Sequence, residues 1–75
     1  MTWQEKDVLG IFAASNARPG QWQPVKSIWM AWGTRGSNKD FADAVERLEA
    51  RGLLQANAGN SSYALTDAGY AQTSN

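Results

Sequence analysis

The chain has 75 residues with no cysteine and no histidine, and its seven basic side chains cancel seven acidic ones. That length makes one small domain, and the missing thiols and imidazoles exclude disulfide staples, thiol chemistry and the common zinc sites. A chain held to nucleic acid mainly by its overall field should be basic, so the balance counts against DNA without excluding a local patch.

The first residues, Met1 to Asp7, lack the basic start and apolar run of a signal peptide, and no segment approaches the ~20 apolar residues of a membrane span. With the cysteine-free composition this predicts a cytoplasmic protein with no membrane partner. Thr2-Trp3-Gln4-Glu5 reads as a capping box, in which the Thr2 hydroxyl accepts from a first-turn amide and Glu5 reaches back to the Thr2 amide. The helix it opens should run to about Ser15 or Asn16 and stop before the turn signal Ala17-Arg18-Pro19-Gly20. At about 100° per residue, Val8, Leu9, Ile11 and Phe12 share one broad arc, the expected core face. Trp3 falls on the opposite side, above Gly10 and Ala14. Either Trp3 folds back over a neighbouring element, as large aromatics are usually mostly buried, or Trp3, Gly10 and Ala14 form a shallow surface that lets a partner's backbone approach closely.

Gln21-Trp22-Gln23 alternates as a short strand does and ends at Pro24, which is tolerated in a helix's first turn. From there Val25, Ile28, Trp29 and Trp32 follow the i, i+3, i+4, i+7 spacing of a helical stripe, and Gly33 ends it. Trp29 and Trp32 resemble a base-stacking pair or a ligand box, but on the only apolar face of their helix they are expected in the core. Thr34 to Asn38 is a polar connector in which Ser37 or Asn38 caps a third helix, and Asp40 suits the positive end of its dipole. Phe41, Ala44, Val45 and Leu48 mark the buried side. Gly52 stands where a C′ glycine belongs, with Leu53 to make the accompanying hydrophobic contact. Leu53-Leu54-Gln55 and Ser62-Tyr63-Ala64-Leu65 are expected to pair as a hairpin across Ala58-Gly59-Asn60-Ser61. Thr66 then caps a last helical turn through Tyr70, which leaves a single domain over residues 1–71 and a frayed tail at 72–75.

This order is helix, short strand, helix, helix and two-stranded ribbon, an α+β chain that is mainly α. The run Arg47-Leu48-Glu49-Ala50-Arg51-Gly52-Leu53-Leu54 before the turn, and Tyr63-Ala64-Leu65-Thr66-Asp67-Ala68-Gly69 after it, resembles winged-helix transcriptional regulators. The resemblance covers nearly the whole chain and is strongest from Val45 to Gly69. It implies a three-helix winged helix-turn-helix with a C-terminal two-stranded β-hairpin wing. The third helix of such regulators enters the major groove of double-stranded DNA, and the wing tip touches backbone or minor groove. A small DNA-binding protein, a candidate transcriptional regulator, is the first function this implies.

Base reading requires donors and acceptors at the groove, and phosphate contacts require Arg, Lys or amides. Lys26, Arg35, Ser37, Asn38 and Lys39 are the candidates to gather at one end of that surface, where helix N-terminal amides also favour an anion. The same residues suit a purely structural role, Ser37 and Asn38 as caps and Arg35 and Lys39 as solubilising charges. The outward side of the third helix sets Lys39 against Asp43 and Glu46, with Arg47 on the flank; Asp43–Arg47 is an i, i+4 pair worth only ~0.3–0.5 kcal/mol. The expected wing has no basic side chain, so Asn60 and its neighbours offer hydrogen bonds with almost no counterion release. The alternative function keeps the fold and loses the DNA. It is a protein–protein interaction module, supported by the neutral charge, the acidic third helix, the uncharged wing and the surface around Trp3. A homodimer is compatible with either, although the chain lacks the extra long helices with which many relatives dimerise.

Catalytic machinery is not in evidence. Asp40, Asp43, Glu46 and Glu49 recur every three residues, stepping about 60° around the helix, so they spread instead of converging on a metal. Ser15, Ser61 and Ser62 have no histidine to activate them, and there is no glycine-rich phosphate loop. No enzyme activity, cofactor or metal is expected.

Overall fold

The computed structural model describes residues 1–73. Thr2 caps α1 (Trp3–Ala14): its Oγ1 accepts from the Glu5 amide at 3.2 Å, and Glu5 Oε1 accepts from the Thr2 amide at 3.2 Å. The helix ends with Asn16 in the left-handed region (φ 55°), and the amides of Asn16 and Ala17 return to the carbonyls of Ala13 and Phe12. That is a Schellman ending with asparagine where glycine is commoner. The strand expected over Gln21–Gln23 is displaced: β1 is Gln23–Pro24. Gln21 is instead held in a turn, its amide donating to the Arg18 carbonyl and its side chain accepting from the Arg18 amide. Pro24 accordingly stands at the N-cap of α2 (Val25–Trp32) and not within its first turn.

Of the two cap candidates for α3 (Asn38–Ala50), Ser37 takes the role, in a second capping box with Asp40. At the far end the Gly52 amide donates to Glu49 (3.0 Å) and the Leu53 amide to Leu48 (2.9 Å), with Gly52 at φ 75°. This is the glycine Schellman ending that the position of Gly52 predicts. β2 (Leu54–Ala56) and β3 (Ser62–Leu65) follow, then α4 (Asp67–Thr73). The sheet is three-stranded and not a two-stranded hairpin: β1 joins the far side of β3, giving the antiparallel order β1-β3-β2 with Gln23 opposite Tyr63 and Leu54 opposite Leu65. The described residues thus form a small, mainly helical α+β domain of four helices and one sheet. Gln72 and Thr73, assigned by sequence to a frayed tail, continue α4, while Ser74 and Asn75 lie outside the described residues. No helix among the described residues is long and apolar enough to cross a membrane.

The two sequence runs on either side of the β2–β3 turn meet in space. The Thr66 amide donates to the Leu53 carbonyl at 3.2 Å. Its hydroxyl donates to the Gly52 carbonyl and accepts from the Gly69 amide. Gly69 lies so close against the Leu53 carbonyl that no side chain fits there. One threonine and one glycine therefore fasten the start of α4 to the end of α3.

The core joins Val8 and Phe12 of α1, Ile28 and Trp32 of α2, Leu48 of α3, and Leu54 and Leu65 of the sheet. Trp32 is 1% exposed, donates its indole N–H to the Gly36 carbonyl at 3.2 Å and packs against Phe41. Trp3 folds back onto it, rings 6.0 Å apart and 12° from parallel, while staying half-exposed. Gly36 sits under both indoles: a Cβ there would come within 2.9 Å of Trp32 Cζ2 and 3.1 Å of Trp3 Cη2. The stripe on α2 predicts Trp29 in the core as well, and here the structure corrects it: Trp29 is 43% exposed. At 100° per residue Trp29 stands about 80° from the midpoint of the buried pair Ile28 and Trp32, at the rim of an eight-residue helix.

Candidate functional site

Trp29 is exposed but fixed. Its indole N–H donates to Asn38 Oδ1 at 2.9 Å, which ties α2 to the first turn of α3 across the connector. Beside it Met30 is 65% exposed. Lys26, one turn before both, and Lys39, next to Asn38, are exposed as well. Beyond them α3 turns Ala42, Glu46, Glu49 and Ala50 to solvent. Burial pushes the Tyr63 hydroxyl above its ordinary pKa, with further contributions from the Glu49 and Glu46 carboxylates. The face formed by α2 and α3 therefore has lysines at one end, carboxylates at the other, and a large apolar pair beside the lysines.

Of the basic residues expected at the start of α3, Lys26, Arg35 and Lys39 are all exposed. Arg35 lines a groove of about 330 Å³ between α1 and α2, with Gly10, Ala14, Ser27 and Ala31; neither Lys26 nor Lys39 is among its described lining residues. Asp43 is half-buried, and with Arg47 it lines a small cleft of about 100 Å³ shared with Thr2 and Gln4 of α1. Both thus face the first helix, which corrects the outward placement of Asp43; the spacing along α3 was read correctly, but the way α1 crosses it was not legible. Ser37 Oγ is committed to the Asp40 amide, and Asn38 Oδ1 to Trp29. Trp3 is stacked on Trp32, while Gly10 and Ala14 line the groove between α1 and α2.

The turn between β2 and β3 is ordered by its own side chains. Asn57 Oδ1 accepts from the amides of Ser61 (3.0 Å) and Ser62 (2.9 Å), and Gly59 and Asn60 take left-handed φ angles of 87° and 55°. Asn60 is exposed at the tip, its amide bonded back to the Asn57 carbonyl at 3.0 Å.

Sequence reasoning missed Glu5. Its side chain is 1% exposed, with Oε2 lying 3.3 Å from Arg51 Nη1 and accepting no hydrogen bond among the described residues. Burial by itself raises the carboxyl's pKa. The hydrogen bonds from the Thr2 amide and hydroxyl, together with the charges of Arg51 and the N-terminus, outweigh it and hold the carboxyl below its ordinary value. The signal was available in part, since the capping box marks Glu5 as a bonded side chain, but nothing local points to Arg51. Among the described residues no group of acidic side chains is placed to hold a metal ion. No protein-family model matches this chain, and no curated protein or solved structure resembles it closely enough to count as a match.

Proposed function

We propose that the chain is a winged-helix domain that works as a protein–protein interaction module through the open face of α2 and α3. The element order and the β1-β3-β2 sheet, with a ribbon following α3, support the winged-helix assignment. The observation that carries the functional reading is Trp29. A large aromatic side chain held half-exposed by a hydrogen bond to Asn38, next to the more exposed Met30, is a pre-ordered apolar platform of the kind found at the centre of protein interfaces. The same bond engages the acceptor that Asn38 would use in paired recognition of an adenine edge. The expected wing brings no cation.

DNA binding by a winged-helix regulator is the second reading, favoured by the uncovered outer side of α3 with Lys39 in its first turn and Lys26 nearby in sequence on α2. So few phosphate contacts give weak binding with a shallow salt slope. The two readings separate in one titration of random-sequence duplex DNA at low salt, followed by tryptophan fluorescence. The interaction-module reading expects no association. Association that weakens as salt rises, and disappears in a Lys26→Ala, Lys39→Ala variant, overturns it in favour of the regulator.

A further inference from the structure

The exposed residues of α2 are Lys26, Ser27, Trp29, Met30 and Ala31, of which Ser27 and Ala31 line the groove with α1. The other three share one arc: at about 100° per residue, Lys26 lies about 60° from Trp29 and about 40° from Met30. Across the connector, Asn38 holds the Trp29 indole and exposed Lys39 follows it. Neither lysine forms an ion pair among the described residues. From Val25 to Lys39 the only charged side chains are Lys26, Arg35 and Lys39, all basic.

The acids begin with Asp40, whose carboxylate accepts from the Ser37 amide, and Asp43, which lines the cleft beside α1. Beyond Lys39, α3 exposes Ala42, Glu46, Arg47, Glu49 and Ala50, two carboxylates against one guanidinium. Glu46 stands two helical turns past Lys39, or about 10.5 Å along the axis. The positive strip beside Trp29 and Met30 is therefore short.

Resting on the reading of this face as a protein-docking surface, we infer that its partner is a short acidic segment of another protein. Large apolar side chains of that segment sit on Trp29 and Met30, and carboxylates beside them face Lys26 and Lys39. A basic segment would bring like charges together, and a neutral one would gain no attraction from the lysines. A long polyanion gains little over a short one, because its further charges meet Glu46 and Glu49. Covering Trp29 and Met30 supplies the affinity, and the two ammonium groups select the partner.

Fluorescence anisotropy tests this with a short labelled peptide in which leucines stand among glutamates, titrated with the chain up to about 1 mM. The peptide should bind, about threefold or more tighter than one with glutamines in place of the glutamates. Alanines in place of its leucines should weaken it about tenfold or more, as should Lys26→Glu and Lys39→Glu made together in the chain. That double variant should instead take a leucine–lysine peptide that the parent rejects. Both changes put a carboxylate in a helix's first turn, where the dipole favours it, so the fold stands. Met30→Ser, at an exposed side chain, should weaken binding while the melting temperature holds.

No binding of the glutamate peptide by about 1 mM overturns the inference, as does a double variant that fails to take the lysine peptide. Undiminished binding after loss of the leucines also overturns it, since bare charge then suffices. A dimer of the chain alone in sedimentation, abolished by Met30→Ser, gives the face to a second copy and overturns it too. Equal binding of the glutamine peptide, lost in Met30→Ser, removes the acidic partner and keeps the docking face. The docking face itself fails on salt-dependent binding of duplex DNA.

Discussion

The Thr66 hydroxyl donates to the Gly52 carbonyl, joining the start of α4 to the end of α3 across 14 residues of chain. The same oxygen accepts from the Gly69 amide at 3.0 Å, so a single side chain satisfies a helix-end carbonyl and a helix-start amide. Thr66→Val keeps the shape and removes both bonds, and should lower the unfolding free energy by about 1–2 kcal/mol, with Thr66→Ser close to the parent. Urea denaturation of the three proteins measures this; a valine variant as stable as the parent would show that the clasp contributes nothing.

Two glycines should respond to alanine in opposite directions. Gly10 lies inside α1 with no atom within 4 Å of a Cβ built there, so Gly10→Ala should stabilise the fold by about 0.5–1 kcal/mol through helix propensity and a less flexible unfolded chain. Gly36→Ala forces a methyl against Trp32, Trp3 and the Asp40 carboxylate and should cost about 1–3 kcal/mol. Thermal melts decide the matter, since 1 kcal/mol moves the midpoint of a domain this size by roughly 4–8 °C.

The tryptophans of α2 should differ sharply although they share one stripe. Trp32→Ala empties a fully buried site and should cost about 3–5 kcal/mol, enough to unfold much of the population. Trp29→Ala loses partial burial and one exposed hydrogen bond, worth about 1–2 kcal/mol together. Equal losses in guanidinium denaturation would return Trp29 to the core.

Glu5 gives the stability a definite pH dependence. Its folded carboxyl lies below the ordinary value of 4.5, so its contribution is present above that value and is lost as pH falls from there through the lower folded one. Glutamine at position 5 keeps the capping geometry without the charge. Unfolding free energies measured from about pH 7 to about pH 3 should therefore fall less steeply below 4.5 for Glu5→Gln than for the parent. Parallel curves for the two would remove the role assigned to this carboxylate.

Much of the fold was legible because its signals are local. The Thr2–Glu5 box, the Val25–Trp32 helix with its terminal glycine, the Phe41–Leu48 buried side and the Gly52 ending each occupy a handful of neighbouring residues, and all stand where their spacing puts them. What escaped depends on how elements cross. Gly36 and Gly69 are required by packing and not by a positive φ, so neither shows as a turn residue. Periodicity placed Trp29 on the apolar side but could not report where a short helix stops being covered. For the candidate site, the identities of the exposed lysines and acids on α3 were readable, whereas the turning of Asp43 toward α1 follows from tertiary geometry alone.

The sheet's free rim at β1 is two residues long, and one of them is Pro24, paired to Ser62 on its other side. Proline has no N–H to offer, and a rim so short presents little for an incoming strand to zip against. Growth by strand addition, the route to fibrils, is thereby discouraged at this margin.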